Sequence, residues 1–287
     1  MSQHPLVLEC HMLDTGYCLA RESHMLQGGT RRMVACHALV ALLRHPEHGW
    51  LLWDTGYAPR MLEVTRRLPF ALYRTATPLY VRPELAVIAQ LKRLGLKASA
   101  IRRVLISHFH ADHIAGLRDF PDAEYITSRL AYSDVAARKG FSALRRAFIP
   151  ALLPEHFEQR ATLLSSFQGA ELPALGPTHD LFDDGSLLLI ELPGHARGQI
   201  GLLAHTSRGY ILFAADGCWM RRAIRENRPP SRLTNFFVDD AAQVRSTIQH
   251  LHDFALARPD VIIVPSHCPE AFAGEIASED GEGEDQR

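Results

Sequence analysis

Cysteine is scarce in this 287-residue chain and poorly placed for cross-linking. The five cysteines (Cys10, Cys18, Cys36, Cys218, Cys268) form no CxxC pair and their number is odd. That argues against a disulfide framework and for a reducing cytoplasm. No apolar run approaches the roughly 20 residues needed to cross a bilayer, so no membrane partner is expected. The first residues lack a basic stretch followed by a long apolar core, so no signal peptide is expected either. Basic excess is missing too: the net charge is −1 with 22% charged residues, which speaks against a nucleic-acid partner.

Apolar residues are plentiful. At 47% hydrophobic, the chain can bury a large core, and residues 1–273 read as one domain. The last fourteen residues, 274–287, carry six acids and one Arg, and read as an acidic, disordered, solubilising tail.

Val34 to Leu43, the turn residues Arg44–Gly49 and Trp50–Trp53 predict a hairpin ending in Asp54-Thr55-Gly56. Pro83 opens a helix with Leu85, Ile88, Ala89 and Leu91 on its apolar face, closed by Gly95. A strand over Ile101–Ile106 follows, then a strand over Ala123–Thr127 and helical stretches around Ser128–Arg138 and Ser142–Phe148. The second half repeats the pattern. Hairpins are expected over Leu181–Leu192, turning at Asp183-Asp184-Gly185, and over Ile200–Ala215. A long helix starts at Asp239-Asp240 with Val244, Ile248, Leu251 and Ala255 on one face, and Val261–Val264 is a short apolar strand. Such a mixture implies a layered α/β architecture with helices outside sheets.

The chemistry concentrates in Ser107-His108-Phe109-His110-Ala111-Asp112-His113, directly behind a buried-looking strand. Neutral imidazole and ionised carboxylate suit zinc and its neighbours, whereas the bland reading is a His-rich surface turn. On an extended chain His108, His110 and Asp112 lean one way and His113 the other, which suits two metals better than one. Three further apolar strands end on His195 (in Pro193-Gly194-His195), Asp216 and His267. One strand-end His is more often a structural residue; the same feature at several strand ends points to a shared site.

This series, HxHxDH followed by a His in PGH, an Asp after a strand and a distal His, resembles the metallo-β-lactamase superfamily, and Asp54-Thr55-Gly56 is similar to its early DTG turn. The resemblance implies an αββα sandwich of two mixed β-sheets flanked by helices. It also implies two divalent metal ions per chain: His108, His110 and His195 on one, Asp112, His113 and His267 on the other, Asp216 bridging both. Zinc is the first choice, and iron, manganese or cobalt can take the same ligands. Asp216 stands where true β-lactamases usually have Cys, and His110 where flavodiiron-type members tend to carry Glu, which turns the reading away from antibiotic hydrolysis and from a redox di-iron centre. Asp112 and Asp216 are the expected catalytic carboxylates. Asp54 is read either as orienting a ligand His or as a turn-stabilising residue.

The surroundings are most similar to the N-acyl homoserine lactonase branch, through Gln90–Leu96, His113-Ile114-Ala115-Gly116-Leu117 and Pro193-Gly194-His195 leading to Gly198-Gln199. Those lactonases place a Tyr three residues beyond the bridging Asp; here that residue is Trp219. The resemblance implies a small-molecule lactone or ester substrate with an apolar acyl or aryl part, and Trp219 is a departure from that branch. Glyoxalase II-type thioester hydrolysis, phosphodiester cleavage and a metal-loaded metabolite-binding protein are the alternatives. Leu68–Val81, with Phe70, Tyr73 and Tyr80, reads as an acyl-pocket wall, a homodimer contact or ordinary core. Arg221, Arg222, Arg225, Arg228 and Arg232 read as an anion-attracting overhang or as a solvated face.

Overall fold

The computed structural model describes residues 6–275. Among these residues, thirteen strands form two mixed sheets laid face to face. The first holds β1 (Glu9–Arg21), β2 (Met33–His45), β3 (Gly49–Trp53), β4 (Leu79–Tyr80), β5 (Ile101–Leu105), β6 (Glu124–Ser128) and β7 (Ala161–Leu164), in the order β4-β1-β2-β3-β5-β6-β7. The second holds β8 (Glu171–Leu172), β9 (Gly176–Asp180), β10 (Leu187–Glu191), β11 (Ile200–Thr206), β12 (Gly209–Ala215) and β13 (Ile262–Pro265), in the order β13-β12-β11-β10-β9-β8.

Side-chain alternation explains the layers. On β2, Leu39, Ala41 and Leu43 turn inward and meet Leu189, Leu202 and Phe213 of the opposite sheet. Ala38, Val40 and Leu42 turn outward into a second core covered by the helices Val87–Arg93 and Arg129–Val135, through Val87, Leu91, Ala131 and Val135. Ile190, Leu203 and Leu212 do the same beneath the helix Ala241–Ala257, against Val244, Ile248, Leu251 and Phe254. Both faces of the central strands are thus buried, which is why they read as near-continuous apolar runs. The result is the expected αββα sandwich.

Most expected elements are present within a residue or two, and three differ for local reasons. The helix opened by Pro83 is split: Pro83–Leu85 is a 3-10 turn, Ala86 is extended, and the helix restarts over Val87–Arg93. The Gln90 side chain donates to the carbonyls of Leu85 (2.6 Å) and Asp14 (2.9 Å), drawing the Leu85 carbonyl into a side-chain bond. The buried face is consequently Val87 and Leu91, not Leu85, Ile88 and Ala89. In the first hairpin of the second half, the outer strand is Gly176–Asp180, earlier than expected. Asp180 accepts from Gly185 N at 2.8 Å and Asp184 pairs with His45 at 2.8 Å, so residues 181–186 serve as a wide turn pinned to the first sheet. Third, Gly140–Leu144 replaces the helix expected over Ser142–Phe148. The acidic tail expected from residue 274 lies outside the described residues from 276 onward; Gly274 and Glu275 close the helix Pro269–Glu275.

Candidate metal centre

Strand direction brings the candidate residues to one edge of the sandwich. β3 and β5 run parallel, as do β12 and β13, and β10 and β12 share a direction because each is antiparallel to β11. These strands deliver Asp54, Ser107–His113, His195, Asp216 and His267 from their C-terminal ends. Two backbone bonds lock the sheets together there: Ile200 N donates to Ser107 O at 3.1 Å and Leu39 N to Ser266 O at 3.1 Å.

Two groups of side chains form. His108, His110, His195 and Asp216 bring donor atoms within 4.8 Å of one another, and so do Asp112, His113 and His267. Extended-chain alternation does not hold past His110, because Ala111–Ile114 coils into a helical turn and carries Asp112 away from His108 and His110 to join His113. Asp216 faces both groups with different oxygens. Its Oδ2 lies 3.0 Å from His195 Nε2, while Oδ1 lies 3.1 Å from His267 Nε2 and 3.3 Å from His113 Nε2. The left-handed φ of 45° at Ala215 aims that carboxylate, a conformation costing on the order of 1–3 kcal/mol for a residue with a Cβ.

Partners on the far side of the rings set their orientation. Asp54 accepts from Ser107 N (2.8 Å) and Ser107 Oγ (2.7 Å), and its Oδ2 lies 2.7 Å from His113 Nδ1. It therefore orients a candidate ligand directly. Ser107 Oγ also reaches His108 Nδ1 at 3.0 Å, and His267 Nδ1 donates to the His37 carbonyl at 2.5 Å. Thr55 binds the His113 carbonyl through both N (2.8 Å) and Oγ1 (3.0 Å). Gly56 has no room for a side chain: a Cβ there would sit 2.0 Å from Thr15 Oγ1.

Electrostatics separates the two groups. Burial, reinforced by neighbouring imidazoles, holds His108 and His110 well below the usual histidine range, so their lone pairs are free at pH 7. Burial also opposes charge on His113 and His267, but Asp216 prevails. It raises His113 well above its ordinary value, with help from Asp54, and His267 to about 9, with help from Asp112. Burial would raise Asp216, yet His267, His195 and His113 hold it well below the carboxylate range. His108 Nε2 is buried without a hydrogen-bond partner, and His195 Nε2 lies 2.9 Å from His110 Nδ1. Buried nitrogens turned toward each other and toward an ionised carboxylate suit a divalent cation.

The family description "Metallo-beta-lactamase superfamily" matches residues 33–267, most of the chain and all of these side chains. The chain belongs to the metallo-β-lactamase superfamily. It is a metal-dependent hydrolase of that superfamily, and its relatives include proteins named as metallo-hydrolases and as N-acyl homoserine lactonases. A Mycobacterium tuberculosis protein called "Probable metallo-hydrolase" is 24% identical over 267 residues, covering 87% of this chain and 81% of its own. The N-acyl homoserine lactonase AttM of Azorhizobium caulinodans is 26% identical over 196 residues, 67% of each chain. Among solved structures, an N-acyl homoserine lactone hydrolase with bound N-hexanoyl-L-homoserine superposes with a TM-score of 0.74 at 18% identity, covering 94% of this chain and 97% of that one. AidC, described as a dizinc quorum-quenching lactonase, superposes at 0.64 with 16% identity and coverage of 94% and 92%.

Several residues whose role the sequence leaves open find partners in the structure. Trp219 Nε1 donates to Asp216 Oδ2 at 3.0 Å, so its indole N–H is spent on the carboxylate and is not directed at a substrate carbonyl. Arg221 donates to the Ile263 carbonyl at 2.7 Å, Arg222 pairs with Glu226 and Arg225 with Glu270, each at 2.7 Å, and Arg228 pairs with Glu226. Their charges are engaged at the surface, as the solvated-face reading expects, and Arg221 and Arg225 also link the helix Arg221–Arg225 to β13 and the helix Pro269–Glu275. Within Leu68–Val81, Tyr73 is buried in the outer core while Leu68 and Leu72 are exposed. Burial, together with the nearby Asp112 carboxylate, raises the Tyr73 pKa well above the ordinary value. A cavity of about 320 Å³ opens beside His110 and His195, lined in part by Phe236 and Phe237. Sequence reading assigned Ser107 no role although it stands inside the cluster, named Tyr73 only as part of Leu68–Val81, and did not reveal this cavity. The place of Tyr73 and the cavity depend on contacts between segments far apart in the chain.

Proposed function

We propose that the chain is a dinuclear hydrolase acting on a lactone or ester of a small molecule with an apolar acyl or aryl part. The supporting observation is the two-sided Asp216 carboxylate, one oxygen facing His195 and the other facing His113 and His267. In this reading His108, His110 and His195 hold one divalent ion, Asp112, His113 and His267 hold the second, and Asp216 is common to both. Zinc is the first candidate, in keeping with the dizinc description of AidC. Two such ions supply Lewis acidity toward a carbonyl oxygen and lower the pKa of water toward neutrality.

The chain's own groups do the rest. Asp54 and the His37 carbonyl fix the rings of His113 and His267, so that Nε2 of each points inward. Trp219 fixes the Asp216 carboxylate. Asp112, partly buried beside Tyr73, would carry a proton to the departing oxygen. Phe236, Phe237 and Phe109 give the cavity an apolar wall for the acyl or aryl part. The lactonase relatives point the same way.

The test is a panel of lactones, aryl esters, thioesters and phosphodiesters offered to protein saturated with zinc, manganese or cobalt. Lactone or ester turnover that varies with acyl length is expected. Turnover confined to thioesters or phosphodiesters overturns the lactone reading, and tight ligand binding with no turnover of any member favours a binding protein.

A further inference from the structure

The cavity beside His110 and His195 is more cationic than an acyl pocket requires. Its wall holds Arg138, Arg145, Arg146 and Arg197 against two acids, Asp134 and Asp239. Both acids are engaged. Asp134 takes Arg138 Nη2 at 2.8 Å and Arg146 Nε at 3.0 Å, and Asp239 takes Arg146 Nη1 at 2.5 Å. Arg138 and Arg146 thereby balance the two carboxylates. Arg145 and Arg197 are exposed, line the cavity and have no carboxylate partner among the described residues. A guanidinium cannot shed its proton at working pH, so the cavity keeps two uncompensated positive charges. Arg197 follows His195 by two residues on the same loop, which ties its position to the candidate metal ligand. Phe236 and Phe237, 85% and 71% exposed, edge the same space and offer apolar surface for the chain between the ends of a ligand.

The geometry points to a substrate that carries an anionic group, carboxylate or phosphate, at the end remote from the scissile bond, with Arg145 and Arg197 binding that anion. This rests on the hydrolase reading above and narrows it: a neutral acyl lactone would leave both guanidiniums without a partner. Planar, charge-assisted contacts of this kind give selectivity between otherwise equal ligands.

Titration calorimetry of metal-saturated protein tests this without turnover. Succinate, glutarate and adipate, a series of increasing length, are compared with butyrate, and phosphonoacetate serves as the phosphate-type probe. At least one two-anion probe is expected to bind about tenfold tighter than butyrate, with carboxylate or phosphonate preference distinguishing the two anions. The R145Q/R197Q double variant is expected to lose that margin, while Arg197→Lys, which keeps the charge, retains most of it. Both arginines are exposed and neither substitution breaks an ion pair, so the variants should fold; circular dichroism checks this. Equal binding of butyrate and every two-anion probe, or a margin that survives the double variant, overturns the proposal.

A second arm reads turnover of an ester bearing a free terminal carboxylate against its methyl-capped counterpart. The wild-type kcat/KM ratio should favour the free acid by about tenfold and fall toward unity in the double variant, chiefly through KM. If neither ester is hydrolysed, these esters are not substrates, the panel above decides the hydrolase reading, and the titration decides on the anion site.

Discussion

The carboxylates and rings at the centre share their contacts, yet each side chain can be removed singly. Asp216 is the carboxylate shared between the two groups of histidines, and His110 lies at the mouth of the cavity. Asp216→Ala or His110→Ala is therefore expected to cut hydrolysis by more than about a hundredfold, beyond the loss typical of outer partners. Steady-state kinetics on metal-saturated protein checks this, and retention of full activity would move the chemistry elsewhere. Asp54 and Trp219 act through a neighbour, His113 and Asp216 respectively. Asp54→Asn and Trp219→Phe should each weaken metal affinity by about 10–100-fold, read by competition with a chromophoric chelator. An unchanged affinity in Asp54→Asn would make that residue a turn stabiliser alone. The histidines and acids were legible in the sequence because their chemistry is concentrated and each terminates an apolar strand. The role of Trp219 was not: its indole N–H turns back on the residue three positions earlier, a matter of local rotamer and not of spacing.

At the scale of elements, the centre depends on turns that must reach their places without strain elsewhere. Gly194 adopts φ +122°, and a Cβ there would stand 2.3 Å from Val244 N in the helix Ala241–Ala257. Gly194→Ala should push His195 out of position and cost on the order of 1–3 kcal/mol, seen as a lowered denaturant midpoint with reduced metal uptake. The same helix begins at Asp240, whose side chain accepts from Ala242 N at 2.8 Å and Gln243 N at 3.1 Å. Asp240→Ala should cost roughly 1 kcal/mol by equilibrium unfolding. That helix was legible from its cap and apolar face. The helix after Pro83 was not correctly read, because Gln90 captures the Leu85 carbonyl with its side chain, and no periodicity encodes that choice. The arginines of the cavity were hidden for another reason. Arg138, Arg145 and Arg146 stand far from Arg197 in sequence, and only the packing of the two sheets brings them together.

For the whole molecule, the two sheets make one edge at which five strand ends meet, and mutual repulsion among buried imidazoles is offset by Asp216 at its centre, helped by Asp54 and Asp112. Divalent ions that bind this folded edge and not the unfolded chain must stabilise the fold, by about 2.7 kcal/mol at a hundredfold excess over the dissociation constant. Stripping the protein with a chelator should lower Tm by several degrees, and readdition of zinc should restore it. No helix among the described residues is long and apolar enough to cross a membrane. The sandwich was legible as a whole because its central strands are apolar on both faces and its ligand-bearing turns recur in order. The two-metal centre is the claim on which the rest depends. Elemental analysis of purified protein after zinc saturation and desalting tests it most directly. The account predicts close to two ions per chain, falling to one or fewer in Asp216→Ala. A wild-type protein that saturates at one ion, or takes up none, would contradict it.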